Sequence, residues 1–306
     1  MSTTGTTGFN LEFKDIAEEA FERCGVEMRT GYHLRTARRS LNLLTIEWAN
    51  RGINLWTIEQ GEIPMVTGQV SYTLPLDTID LLDHVIRNNN GTSNQIDINI
   101  TRISESSYAM IPNKLANGRP IQVWINRQSG NTNSVESTTL DGGITSTDTT
   151  IDVVSTANLP SAGYITVGSE IIGYTTVSGN QLQGCVRGQA NTTAASHLTG
   201  VNVYTSYIPN INVWPAPNAP GDQYTFVYWR MRRLQDAGSG TRVQDIPFRF
   251  IPCMTAGLAY HLAVKIPEAA GRIDMLKMAY EEQWKLAADE DREKASLRLA
   301  PRQMFW

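Results

Sequence analysis

The chain has 306 residues, of which 41% are hydrophobic and 18% charged, with a formal net charge of −4. That length suits one large domain or two ordinary ones, and that charge excludes a nucleic-acid binder that works by bulk electrostatics. Three widely spaced cysteines, Cys24, Cys185 and Cys253, exclude a disulfide scaffold and fit assembly in a reducing cytoplasm.

The opening MSTTGTTGFN has no basic segment followed by an apolar run, so no signal peptide is expected. Phe13, Ile16, Ala17, Ala20, Phe21 and Cys24 then recur at steps of three and four, which predicts an amphipathic helix ended by Gly25. Leu34, Ala37, Leu41, Leu44 and Trp48 predict a second helix before Gly52, with Arg35, Arg38 and Arg39 on another side.

Beyond Ile53 the period changes to that of strands. Gln69 to Leu74, Ile79 to Arg87, Gln95 to Ile103 and Pro120 to Arg127 read as strands, with Asn90-Gly91 as a turn. Ser104 is placed to cap a short helix up to Ile111.

Residues 128–206 are different: dense in Thr, Ser, Gly and Asn and poor in charge. Strands are predicted at Thr150–Val154, Tyr164–Val167, Glu170–Val177 and Val201–Thr205, with hairpin turns at Gly168-Ser169 and Ser178-Gly179-Asn180. Asn210 to Pro215 and Gln223 to Arg233 then resume the earlier style. The economical account is a small all-β domain, 128–206, inserted into a discontinuous core domain of residues 1–127 and 207–306.

At the C-terminal side, Pro247 suits a first helical turn and Pro252 delays or kinks the start. The apolar stretch Ile251 to Ile266 carries His261 and Lys265 and is too short to span a bilayer, so a buried helix and no membrane contact are expected. Ala256, Ala259, Tyr260 and Ala263 form a small-residue seam. Ile273, Leu276, Tyr280, Trp284 and Ala287 predict a long helix after Pro267, with Glu281–Lys285 and Glu290–Lys294 spaced for ion pairs. The expected fold class is α+β: two N-terminal and two C-terminal helices in a bundle, an antiparallel β part, and the inserted β domain.

No P-loop, dinucleotide fingerprint, zinc-protease helix, nucleophile elbow or C-x-x-C occurs, so neither enzymatic activity nor a cofactor is expected. Asp80, Asp83 and His84 offer metal-ligand types, but a solvated loop with one satisfied histidine is the ordinary reading. Cys185 and His197 offer a thiol–imidazole pair, against an ordinary buried cysteine. Glu170 and Asp152 are the single carboxylate pair in the insert that a polysaccharide- or wall-degrading enzyme could use.

Arg230, Arg232 and Arg233 end the aromatic strand, and Arg242 follows a Gly-Ser-Gly loop. They are candidates for non-specific contact with passing DNA, or else a solvated hairpin end paired with Asp236 and Asp245. The tail, residues 295–306, carries Leu297, Leu299, Met304, Phe305 and Trp306 without helical pattern. Burying the larger of these is worth roughly 1.5–3 kcal/mol each, so the tail folds back or docks on a partner.

Long blocks of the chain, LLTIEWANRGINLWTIEQGEIPMVTGQVSYTL from Leu43, SYAMIPNKLANGRP within Thr101 to Arg127, and VWPAPNAPGDQYTFVYWRMRR from Val213, resemble the head-to-tail adaptor proteins of short-tailed bacteriophages. VQDIPFRFIPCMTAGLAYHLAVKIPE and YEEQWKLAADEDREKASLRLAPR continue the likeness, which covers most of the chain outside the insert.

The resemblance implies a structural virion protein at the head–tail junction, forming a homo-oligomeric ring of about twelve copies. Such a ring sits under the portal protein, receives the tail nozzle or tube protein, and continues the channel through which the genome is retained and ejected. It implies that Leu297, Arg298, Leu299, Arg302, Met304, Phe305 and Trp306 meet the portal. The stretch GSEIIGYTTVSGNQLQGCVRGQANTTAASHLTG resembles small β modules of phage structural proteins, expected on the ring periphery near tail fibres or the host surface. The alternatives are a tail-associated host-surface binding protein or a cell-wall- or polysaccharide-degrading tail enzyme.

Overall fold

The computed structural model describes residues 11–52, 55–128, 130–131, 137–221 and 223–291. Among them are five α-helices: α1 (Phe13–Cys24), α2 (Gly31–Arg51), α3 (Glu105–Ala109), α4 (Ile251–Ala263) and α5 (Ile273–Glu290). The chain is an α+β protein built as two compact units. One runs up to Ile58 and resumes at Arg233; the other is Glu59–Arg232. The division follows the change from helix to sheet and not the edges of the 128–206 segment.

In the first unit α1, α2 and α5 pack around α4, whose buried face includes Ala256, Gly257, Ala259 and Ala263. Gly257 is what permits close approach: a Cβ there would lie 2.9 Å from Leu44 Cδ1 and Tyr280 Cε2. Gly25 ends α1 in the left-handed region at φ 78°, its N–H donating to the Glu22 carbonyl at 2.8 Å. A 3-10 turn, Phe248–Phe250, precedes α4, and Pro252 falls in the first turn of α4, where its missing N–H costs nothing. Trp48, Phe250, Tyr280 and Trp284 form the aromatic centre, with Trp48 Nε1–H donating to Tyr280 Oη at 3.1 Å. The expected Glu281–Lys285 pair gives way to a longer-range one: Glu281 meets Arg51 of α2 at 3.0 Å, and Glu290 meets Arg249 at 3.1 Å.

The second unit holds two four-stranded sheets that share one core. The first runs Ile58–Pro64, Tyr224–Arg232, Thr78–Asn88, Ile96–Asn99; the second runs Ser71–Thr73, Asn210–Trp214, Gln122–Asn126, Thr101–Arg102. Ile86, Phe226 and Tyr228 of the first bury against Tyr72, Val123, Ile125, Ile211 and Val213 of the second. Ser104 caps α3 as expected, accepting from the Ser107 N–H at 3.2 Å. The strand Ile58–Pro64 was not predicted. It is an edge strand whose Gly61 lies under the Tyr228 ring, where a Cβ would meet Tyr228 Cζ at 2.3 Å.

The inserted segment has its own core of Leu140, Ile144, Ile151, Val153, Ile165, Val167, Ile172, Tyr174, Leu182, Cys185 and Val203. Gly168 (φ 61°) and Gly179 (φ 60°) make the two expected hairpin turns. The predicted strand Glu170–Val177 breaks after Tyr174. Glu170–Tyr174 and Thr176–Ser178 belong to different sheets.

Candidate functional site

Arg230 lies on the strand Tyr224–Arg232, which is buried from Thr225 to Tyr228 and shifts register between Trp229 and Arg230, and only 8% of it is exposed. Its guanidinium meets Asp77 Oδ1 at 2.5 Å and Glu59 Oε2 at 2.8 Å, while Arg232 Nε meets Glu59 Oε1 at 2.6 Å. Burial opposes the charge on Arg230, but Asp77 and Glu59 outweigh it and raise its pKa. Arg230 is thus held by Asp77 and Glu59, and Arg232 by Glu59, carboxylates within the unit that the sequence reading did not name. Arg233 and Arg242 are exposed in the other unit. The proposed portal contacts Leu297, Arg298, Leu299, Arg302, Met304, Phe305 and Trp306 lie outside the described residues.

Among the described residues no cluster of His, Cys, Asp and Glu is arranged to hold a metal ion. Asp80 instead takes Arg102 at 2.9 Å and Arg127 at 3.3 Å. His84 is not the satisfied histidine expected. It is buried beside Phe226, ring centroids 6.0 Å apart, and neither ring nitrogen meets a partner in hydrogen-bonding geometry. Asn88 Oδ1, two residues beyond Ile86 on the same strand face, is also buried without a partner.

The thiol–imidazole pair is not formed. Cys185 Sγ–H points to the Leu182 carbonyl at 3.5 Å, and burial pushes its pKa up to about 11, which keeps it a thiol at neutral pH. His197 Nε2 lies 2.8 Å from Glu170, which is fully buried. Arg187 grips that carboxylate through Nε at 2.8 Å and Nη2 at 2.7 Å, and the N–H groups of Gly188 and Ala195 donate to it at 3.1 and 3.2 Å. Burial alone would raise the Glu170 carboxyl, but Arg187, His197 and these amides hold it at about 2. Every lone-pair direction is occupied, so Glu170 is a structural tie and not a free acid or base. Asp152 belongs to another sheet and accepts from Gln181 Nε2 at 2.9 Å. The carboxylate pair needed for sugar cleavage is therefore not assembled.

The helical unit presents unlike outer faces. Tyr32, Arg35, Arg39, Leu43 and Ile46 follow one line of α2, all exposed, with Leu43 at 55% and Ile46 at 58%. Met275, Met278, Glu282 and Leu286 follow one line of α5, with Met278 at 74%. Steps of three and four keep each set within one stripe of its helix. The α2 line borders a cleft of about 690 Å³ lined by Phe21, Tyr32, His33, Arg39, Leu43 and Ile266. Sequence reasoning found the arginines of α2 but missed both apolar lines, because it assigned these helices' hydrophobic residues to their inner faces. The signal was there in the excess of apolar residues over one face.

Among the described residues no helix is long and apolar enough to cross a membrane. No protein-family model matches the chain, and no curated protein is detectably similar to it in sequence.

Proposed function

We propose that this chain is a structural virion protein, a ring-forming adaptor between the portal and the tail of a short-tailed bacteriophage. The observation that carries this reading is the pair of unlike exposed lines on the helical unit, Arg35–Arg39–Leu43–Ile46 on α2 and Met275–Met278–Glu282–Leu286 on α5. A single copy gains nothing from leaving these thioether and aliphatic side chains in water. A contact that joins one line to the other links copies head to tail, and such heterologous contacts close into rings when the rotation allows. The arginines of the first line and Glu282 of the second are of opposite sign, which favours that order of contact over like-to-like pairing. The long sequence blocks that resemble adaptor proteins support the same reading.

Mixing the full chain with portal rings from the same particle tests the proposal, with particle mass and negative-stain images as readout. A closed ring of copies on the portal is expected. A chain carrying Met278→Glu and Leu286→Glu keeps its melting temperature but fails to close the ring. Removal of residues 295–306 leaves the fold intact and abolishes attachment. Attachment by the truncated chain equal to that of the full chain removes the tail from the portal contact, and monomers bound singly to the portal sink the ring.

A further inference from the structure

Two basic segments far apart in sequence are brought together within the helical unit. Ala237 N–H donates to Asn42 Oδ1 of α2 at 2.9 Å. Lys14 N–H and Phe13 N–H, at the start of α1, donate to the Gly240 and Arg242 carbonyls at 3.0 and 2.9 Å. These bonds pin the 237–242 loop against both helices, and Arg242 N–H closes it on the Ser239 carbonyl at 3.0 Å. Gly238 sits at φ 56°, and a Cβ there would lie 3.1 Å from Arg242 Cγ, so the arginine stem lies over this glycine.

The result is a small pocket of about 60 Å³. It is lined by Arg35 and Arg38 of α2 and by Gly238, Ser239 and Gly240 of the loop, with Phe13 and Leu34 beside them. Arg242 and Thr241 line a wider hollow on the same loop, together with Asp236, the one carboxylate there. Arg35, Arg38 and Arg242 are exposed, and no ion pair engages them among the described residues; the nearby Lys14 is held by Glu18 at 3.5 Å. The N–H groups of Gly238, Ser239 and Gly240 likewise meet no acceptor among the described residues.

We propose that this pocket is an oxyanion site that takes one phosphate group. Guanidinium forks match the oxygen geometry of phosphate and bind it bidentately, which ammonium groups do not. Consecutive backbone N–H groups in a tight turn form the anion-binding concavity that completes such sites. The pocket, about 60 Å³ and open to solvent on one side, has room for one small anion. The phosphate belongs either to a nucleic-acid backbone or to a small free ligand, and the chemistry is common to both. Nothing in this assignment depends on the adaptor reading.

Thermal unfolding of the full chain in inorganic phosphate, against chloride at matched ionic strength, reads the site directly. A ligand that binds only the folded state raises Tm, here by about 2–4 °C at saturating phosphate. The variant R35Q/R38Q is expected to melt with the wild type in chloride and to show no rise in phosphate; R35K/R38K, which keeps charge without the forks, shows less than half of it. A rise of equal size in R35Q/R38Q, or no phosphate-specific rise in the wild type, overturns the site.

The second arm measures affinity for a labelled 20-base-pair duplex as salt is varied. A salt slope reduced by about 2 in R35Q/R38Q assigns the phosphate to a nucleic-acid backbone. An unchanged slope beside a lost phosphate response assigns it to a free phosphate-bearing ligand. Portal attachment is read on R38Q alone, because Arg35 also lies on the α2 line proposed for the ring contact. R38Q is expected to attach normally while its phosphate response falls, so loss of this site and failure of the adaptor reading give different results.

Discussion

Asn126 and Asn210 stand directly opposite one another in the second sheet of the sandwich, as the end pair of an antiparallel ladder that continues to Gln122 and Trp214. The chain therefore leaves the sandwich at one strand end and returns at its neighbour after the whole inserted segment. An insertion at such a place costs the host sheet no register, because the paired strands would otherwise be joined by a short turn.

Joining Asn126 to Asn210 through an Asn-Gly turn, with the intervening residues removed, is expected to leave the sandwich folded. The exposed Arg127–Asp80 pair lost with them is worth little. Far-UV circular dichroism and a single cooperative melt check this; a shortened chain that melts without cooperativity shows that the insert is part of the sandwich core.

Glu170 predicts an acid limb to the stability of the inserted module. Its carboxyl is held at about 2, against 4.5 for an ordinary glutamate, so the folded state binds fewer protons than the unfolded chain between those values. The stabilisation, on the order of 3 kcal/mol, is present above pH 4.5 and is lost as pH falls toward 2. Glu170→Gln removes that limb and leaves Arg187 buried without its anion, costing about 3–5 kcal/mol. Urea melts between pH 2 and 7, followed by tyrosine fluorescence, read both effects.

His84 predicts a second and milder limb. Burial lowers its pKa, with Arg102 adding to that while Asp83 and the Ile100 backbone, near the ring but outside good hydrogen-bonding geometry, pull the other way. The folded chain thus takes up a proton less readily than the unfolded one. Stability is full above the ordinary histidine value of about 6.5 and declines as pH falls below it. Replacing His84 with Leu removes two unpartnered buried nitrogens. The variant is expected to be about 1–3 kcal/mol more stable at pH 5.5 and nearly unchanged in its pH response there. A variant less stable than the wild type at that pH would show that the imidazole has a partner in solution.

Gly257 is the contact point of α2, α4 and α5, and the two effects of an alanine there oppose each other. Helix propensity gains about 1 kcal/mol, whereas overpacking against fully buried Leu44 and Tyr280 costs about 1–3 kcal/mol. The second wins because neither neighbour has free volume to move into. Gly257→Ala is expected to lower the melting temperature of the chain by a few degrees in a calorimetric scan.

Local periodicity carried the helices and most strands. Phe13 to Cys24 and Leu34 to Trp48 mark their buried faces unambiguously, and Gly25, Gly52, Ser104, Gly168 and Gly179 mark ends and turns by backbone chemistry that needs no tertiary context. The strand Ile58–Pro64 escaped because half of an edge strand faces solvent, and Gly61 carries meaning only once Tyr228 lies over it. Charge partners were equally illegible: Arg230 pairs with Asp77 and Glu59, far away in sequence, since Coulomb attraction depends on distance in space and not along the chain.

The residue sequence by itself determined an α+β chain with a compositionally distinct β insert, because side-chain period and turn residues act within a few positions. Only the tertiary structure decided that His197 serves Glu170 and not Cys185, that Arg230 is buried, and that Arg35 and Arg38 share a pocket with the Gly238–Gly240 loop. Each of those outcomes depends on which elements pack together, and packing is settled by the summed burial of many side chains that no local pattern encodes.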